Sequence, residues 1–329
     1  MSHALSDVIP AAIEDASLPQ WYRTANRQPG ISAKVEVDGI ELHYLSWQSD
    51  DTESKEDTAK PVLLFLHGFR AHAHWWDFIA PFFTDNYRVL AMDFSGMGDS
   101  GHRTQYDLDT FAADITGLIE ALDIGPVIGV GHSYGGSRLL RACAERPDLF
   151  QHAVVIDSYI LFSGDTPPSM PHKLLGTRTF SDFNEACARY HLMPEQPAAL
   201  AFLVDHIARH ALRKVDGGWR WKFDPDMPAT GYREQDGEGM LSWIRTPVDY
   251  ICGEYSTVVS AERAARTVKE LRAAPRAATV RGPIAIPQGQ HHLMLDQPLA
   301  LISTLRALLA DVGSHPLTTD SSQQSRKLS

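Results

Sequence analysis

Hydrophobic positions along the chain change their period several times, and each change predicts an element. In KVEVDGIELHYLSW (residues 34–47), Val35 and Val37 alternate with polar neighbours, Asp38-Gly39 supplies a turn pair, and Ile40, Leu42 and Tyr44 alternate again. A period of two on either side of an Asp-Gly pair predicts a β-hairpin. The polar stretch QSDDTESKEDTAK (48–60) has no apolar anchor and reads as a solvated surface loop. Continuous apolar runs follow at Val62–Leu66, Arg88–Met92, 126–130 and 153–156, as expected of strands buried on both faces. Between the second and third runs lies a 3.6-residue stripe of Leu108, Phe111, Ala112, Ile115, Leu118, Ile119 and Leu122, with Gly125 just past its end. Strands alternating with helices predict a mostly parallel sheet covered by helices.

The alternation pauses between Ser158 and about Ile244. This stretch holds Pro167-Pro168 and Pro171, predicted helices near 181–190 and 197–212, and the tryptophan- and turn-rich run GGWRWKFDPDMP. The sheet pattern resumes at 248–251. A helix over 260–271, a short strand near 284–286 and a final helix Pro298–Leu309 follow. The expected organisation is an irregular leader (1–32), an α/β core (33–157 and 245–311), a helical cap inserted after the sixth strand (158–244), and a polar, disordered tail (312–329).

Composition narrows the function classes. Of 329 residues, 43% are hydrophobic and 22% charged, which suits a globular chain and not a collagen-like or wholly disordered one. No apolar run approaches the ~18 residues of a membrane helix. The formal charge of −11 argues against a nucleic-acid partner, which usually needs a basic face. Cys143, Cys187 and Cys252 are odd in number and widely spaced, so neither a disulfide framework nor a CxxC metal site is expected. The N-terminal stretch lacks a basic region followed by an apolar one, so a reducing cytoplasm is the expected compartment.

The strongest chemical signal is Gly131-His132-Ser133-Tyr134-Gly135-Gly136. It is a G-x-S-x-G between a predicted strand and a predicted helix, where a cramped turn thrusts the serine hydroxyl above the sheet. Ser133 is thus the candidate nucleophile. His132 beside it reads as a packed, hydrogen-bonded side chain. His72 and His74 form an H-x-H pair near His67, but a metal would need further ligands at suitable spacing, so a polar loop is the plainer reading and no metal is expected. Gly96/Gly98 and Gly129/Gly131 do not continue into a dinucleotide fingerprint, and no cofactor is expected.

Four blocks in order resemble the α/β-hydrolase fold superfamily over roughly residues 33–311. They are His67-Gly68 after the third strand, Asp93-Phe94-Ser95-Gly96-Met97-Gly98-Asp99-Ser100 after the fourth, GHSYGG after the fifth, and GQHHLMLDQP (289–298) after the last. The resemblance implies a mostly parallel, doubly wound α/β sheet with a cap. It implies His291 as general base, with Asp296 and Pro298 in the family's closing spacing. It also implies an oxyanion hole from the backbone N–H groups of Phe69 and Tyr134, and a structural role for Asp93.

The acid departs from the common pattern. Where relatives often carry aspartate three residues beyond a glycine, Gly253-Glu254-Tyr255-Ser256 places a serine, which cannot balance an imidazolium. Two carboxylates remain: Asp157 at the end of the sixth strand, a position some relatives use, and Glu254, two positions early. Asp157 is the favoured acid and Glu254 the alternative. Trp75 and Trp76 lie just after the oxyanion loop, where aromatic residues suggest a small, apolar substrate. The implied activity is a cofactor-independent serine hydrolase acting on a carboxylic ester or lactone. Rival readings on the same fold are a carbon–carbon bond hydrolase of dienone acids, a cofactor-free dioxygenase and a ligand-binding receptor.

Overall fold

The computed structural model describes residues 16–47, 60–165, 178–197, 199–227, 237–275 and 279–312. The polar loop at 48–59, the prolines at 167–171 and the tail from 313 lie outside the described residues.

An eight-stranded sheet organises the molecule. The hairpin strands β1 (Ile31–Val37) and β2 (Ile40–Trp47) are joined by Asp38 and Gly39, both with positive φ, as a two-residue hairpin turn demands. The sheet continues with β3 (Val62–Leu66), β4 (Arg88–Met92), β5 (Val127–His132) and β6 (Phe150–Ile156). A small separate hairpin is formed by β7 (Leu212–Val215) and β8 (Gly218–Trp221), and the sheet ends with β9 (Val248–Gly253) and β10 (Val280–Ile286). The spatial order is β1-β2-β4-β3-β5-β6-β9-β10. β1, β2 and β4 pair antiparallel, and every contact from β4 to β10 is parallel.

Alternate residues of the buried strands feed two cores. Leu64 and Leu66 face α2 (Leu108–Ala121) and α3 (Tyr134–Glu145). Leu63 and Phe65 face the other way, where Phe65 stacks on Trp76 at 4.7 Å and the helix Pro298–Leu309 closes the layer. Helices on both faces explain why these strands are apolar at every position. The parallel strands deliver β5, β6 and β9 to one carboxyl edge, where ligands bind in open α/β sheets.

Four local expectations are corrected. The leader carries a helix, α1 (Gln20–Ala25), whose Tyr22 is buried among Phe78, Phe202 and His206. A six-residue helix between Pro19 and Pro29 is too short to show a helical period. The tryptophan-rich run contains strand β8, because Asp216-Gly217 closes a two-residue hairpin with Gly217 at φ +83°. That Asp-Gly pair was the missed signal. Strand β10 starts four residues earlier than 284. Its register shifts between Arg281 and Ile284, and Pro283 is tolerated there because β10 is an edge strand. Within 158–244 the two expected helices are shorter, α4 (Phe183–Cys187) and α5 (Ala201–His210), and a further short helix, α6 (Gly237–Ser242), is one the sequence pattern did not predict.

Candidate active site

Strand β5 ends at His132 and α3 begins at Tyr134, so Ser133 alone makes the turn. It does so at φ +52°, ψ −116°, a conformation a non-glycine residue adopts only when its surroundings hold it there. Two glycines permit this approach. A Cβ on Gly131 would lie 2.6 Å from the Gly136 Cα, and one on Gly135 would lie 2.5 Å from the His67 carbonyl oxygen. The His67-Gly68-Phe69 loop therefore runs directly against the turn. A Cβ on Gly68 would be 3.6 Å from the Ser133 Cβ. The Phe69 and Tyr134 rings meet edge to face at 5.3 Å. Tyr134 opens α3, so its N–H sits at the positive end of the helix dipole.

His67 fixes this loop from below. Its Nδ1–H donates to the Gly68 carbonyl at 2.7 Å, and its Nε2 accepts from the Phe94 N–H at 3.3 Å. Burial lowers its pKa, so the ring is neutral. Asp93 is fully buried and accepts from His43 Nδ1 (2.7 Å), the Ala73 N–H (2.6 Å) and the Asp99 N–H (2.9 Å). Gly98 lies against that carboxylate at φ +54°, which accounts for the glycine in the motif.

Asp157 directly follows β6, with φ +45°, and is fully buried. Its Oδ2 accepts from His291 Nδ1 at 2.6 Å and from the Ser256 hydroxyl at 2.6 Å, and its Oδ1 accepts from the Gly253 N–H at 3.0 Å. His291 lies in the loop after β10, and its carbonyl accepts from His132 Nε2 at 2.9 Å. The histidine loop is thus tied to the residue preceding Ser133. Glu254 stands apart: it is exposed, and its carboxylate accepts from the Gln288 N–H at 2.8 Å.

The fold brings Ser133, Phe69, Tyr134, Asp157 and His291 to one edge and leaves Glu254 outside. Two supporting residues escaped sequence reading. Ser256 was set aside because it carries no charge, yet it orders the carboxylate, and its Oγ accepts from the Val258 and Val259 N–H groups at 3.2 and 3.1 Å. Gln196, in the segment between β6 and β9, clamps His292 by accepting from its N–H (2.7 Å) and donating to its carbonyl (3.2 Å). No sequence pattern marks a lone glutamine 96 residues upstream of its partner. Both tryptophans are core residues, and Trp75 also packs against His292 at 5.3 Å.

Arg70 follows Phe69 with φ +57°. Its guanidinium lies over the Phe69 and Phe223 rings (5.1 and 4.8 Å), and one terminal nitrogen donates to the Met227 carbonyl at 3.1 Å. Among the described residues, its buried Nε and Nη1 have no acceptor. Burial lowers its pKa to about 10, so it remains a cation at neutral pH.

A serine turn with an apposed backbone loop and a buried aspartate–histidine pair defines a hydrolase of the α/β class. The model of the alpha/beta hydrolase family matches residues 63–304, and the chain belongs to that family. Among curated relatives, it is similar to a 2-(acetamidomethylene)succinate hydrolase of Mesorhizobium japonicum, 27% identical over 72% of this chain and 82% of the relative. It is also similar to a bifunctional esterase/perhydrolase of Acinetobacter calcoaceticus, 28% identical over 71% and 85%. Among solved structures, an E-2-(acetamidomethylene)succinate hydrolase superposes with a TM-score of 0.69 at 25% identity, covering 85% of this chain and 99% of that one. Among the described residues, no helix is long and apolar enough to cross a membrane.

Proposed function

We propose that this chain is a cofactor-independent serine hydrolase that cleaves a carboxylic ester or lactone through an acyl-enzyme. The observation that carries the reading is the buried Asp157–His291 bond of 2.6 Å, in a loop anchored to the residue before Ser133. His291 Nδ1–H is held by the carboxylate, which leaves Nε2 as the base. Nε2 takes the Ser133 hydroxyl proton as Oγ bonds the substrate carbonyl carbon. The negative oxygen is met by the Phe69 and Tyr134 N–H groups. The tetrahedral species collapses, and His291 passes the proton to the departing alkoxide. Water then attacks the acyl-enzyme, giving its proton to His291. The second collapse frees the acid and returns the proton to Ser133.

In this reading, residues 158–244 form the cap, and Gln196 couples it to the histidine loop. Phe69 and Trp75 favour an apolar portion of the substrate. Arg70 favours an acceptor on the acyl side as well, because two buried N–H-bearing atoms lack one. The similarity to an enzyme named for a succinate derivative points the same way.

The test is a panel of esters of graded acyl length, each with and without a terminal carboxylate, together with lactones, run beside an oxygen electrode. The expected result is hydrolysis without oxygen uptake, with Arg70→Gln raising KM selectively for the acidic esters. Oxygen consumption matching turnover, or failure to hydrolyse any ester or lactone, would overturn the assignment.

A further inference from the structure

Asp157 holds His291 through Nδ1 alone. One hydrogen bond leaves an imidazole free to pivot about it, and Nε2 lies on the far side of the ring. Catalytic groups have to stay within about 0.5 Å of their productive positions. The backbone must therefore supply a second constraint.

His291 lies in the loop between β10 and the short helix Leu293–Asp296. Its C=O and the N–H of His292 belong to one planar peptide. The carbonyl end accepts from His132 Nε2, at the end of β5, at 2.9 Å. The N–H end donates to Gln196 Oε1 at 2.7 Å, and Gln196 Nε2 donates to the His292 carbonyl at 3.2 Å. A peptide held at both ends cannot rotate about the bonds that flank it, and one of those bonds sets the direction of the His291 side chain. The core supplies one clamp. The segment between β6 and β9 supplies the other.

That segment is itself seated on the histidine loop. The Leu200 N–H donates to the Leu295 carbonyl at 2.8 Å. Leu203 and Ile207 of α5 are fully buried in the same core as Leu293 and Leu295, and His72 Nε2 donates to the Ile207 carbonyl at 3.0 Å. Gln196 is buried, and it turns both ends of its amide to the backbone of one residue. An amide offers a donor and an acceptor together, which an apolar side chain of the same length cannot.

We propose that Gln196 is a positioning residue for His291. It holds the peptide between residues 291 and 292 from the cap side, so the base is in register only while the inserted segment sits on the histidine loop. This role rests on His291 being the base of a serine hydrolase, as proposed above. Without the amide the His292 N–H loses its acceptor, the peptide can tilt, and Nε2 swings from its place. A displacement of ~1 Å costs about 10²-fold in rate.

The test uses the full-length chain with Gln196→Met, which keeps the length and loses the amide, and Gln196→Asn, which keeps the amide and is too short to span both groups. Circular dichroism checks folding, and Gln196→Asn decides if Gln196→Met does not fold. Two rates are measured: turnover of an activated ester, as kcat and KM, and labelling by a small fluorophosphonate, which needs Ser133 and its base but little of the cap. Arg220→Gln, whose guanidinium bonds Thr179 in the same segment, reports general disturbance of that segment. The expected result is a fall of ~10–100-fold in kcat and in labelling rate together, with KM within about twofold of the parent and Arg220→Gln like the parent. The role is overturned if every folded Gln196 variant keeps the parent's kcat and labelling rate, if KM alone changes, or if Arg220→Gln loses as much as the Gln196 variants. A parent chain that takes no label and hydrolyses no ester overturns the serine-hydrolase reading and this role with it, whereas an active, labelled parent with indifferent variants overturns the positioning role alone.

Discussion

Replacing Asp157 with asparagine changes one atom's protons and almost nothing of its shape. The carboxylate accepts three hydrogen bonds, two at Oδ2 from His291 and Ser256 and one at Oδ1 from the Gly253 N–H. An amide has only one accepting atom. With its NH2 toward His291, the imidazole must shift its proton to Nε2, and the nitrogen proposed as the base is no longer one. With its NH2 toward Gly253, two donors face each other in a fully buried site, at about 1–3 kcal/mol for the unmet donor. Either way the imidazolium loses its counter-charge. The expected fall in turnover is ~10³–10⁴-fold, or about 4–5.5 kcal/mol of activation free energy. Glu254→Gln should cost less than ~10-fold, because that carboxylate is exposed and, among the described residues, accepts just the Gln288 N–H. The assay is steady-state hydrolysis of an activated ester by both variants, with circular dichroism to show that each is folded. A folded Asp157→Asn within tenfold of the parent, or a larger loss in Glu254→Gln, would refute the reasoning.

Ser256→Ala removes one bond to the carboxylate and an acceptor for two backbone N–H groups; it should lower stability by about 1–3 kcal/mol and turnover by far less than Asp157→Asn, measured by urea titration and ester hydrolysis. An unchanged denaturation midpoint would contradict the bridging role. Burial holds His67 and His132 neutral, with pKa values below 6.5 in the fold. The unfolded chain takes up those protons as pH falls through 6.5 and the folded chain does not, so this stabilisation is complete above that pH and is lost below it. Tm should therefore fall between pH 7 and pH 5, and a flat or rising profile would contradict it.

The sheet was legible because its strands are apolar on both faces, a signal that local turns do not blur. Val62–Leu66, Arg88–Met92 and Pro298–Leu309 occur at the bounds their periodicity predicts. The elements read less well are short or irregular. Helix α1 has six residues, β10 is broken by Gly282-Pro283, and β8 depends on an Asp-Gly turn that lies beside three tryptophan and phenylalanine side chains. At the site, Ser133 was legible because its turn imposes glycines at fixed offsets. Ser256 and Gln196 were not, because their importance lies in a partner distant in sequence.

The claim that everything else depends on is that Ser133 is the nucleophile. A fluorophosphonate probe followed by peptide mass mapping tests it directly. The account predicts one adduct per chain, on the peptide containing Ser133, absent from a folded Ser133→Ala variant whose ester turnover drops by about five to six orders of magnitude. An adduct on another residue, or a Ser133→Ala variant that keeps its turnover, would contradict it.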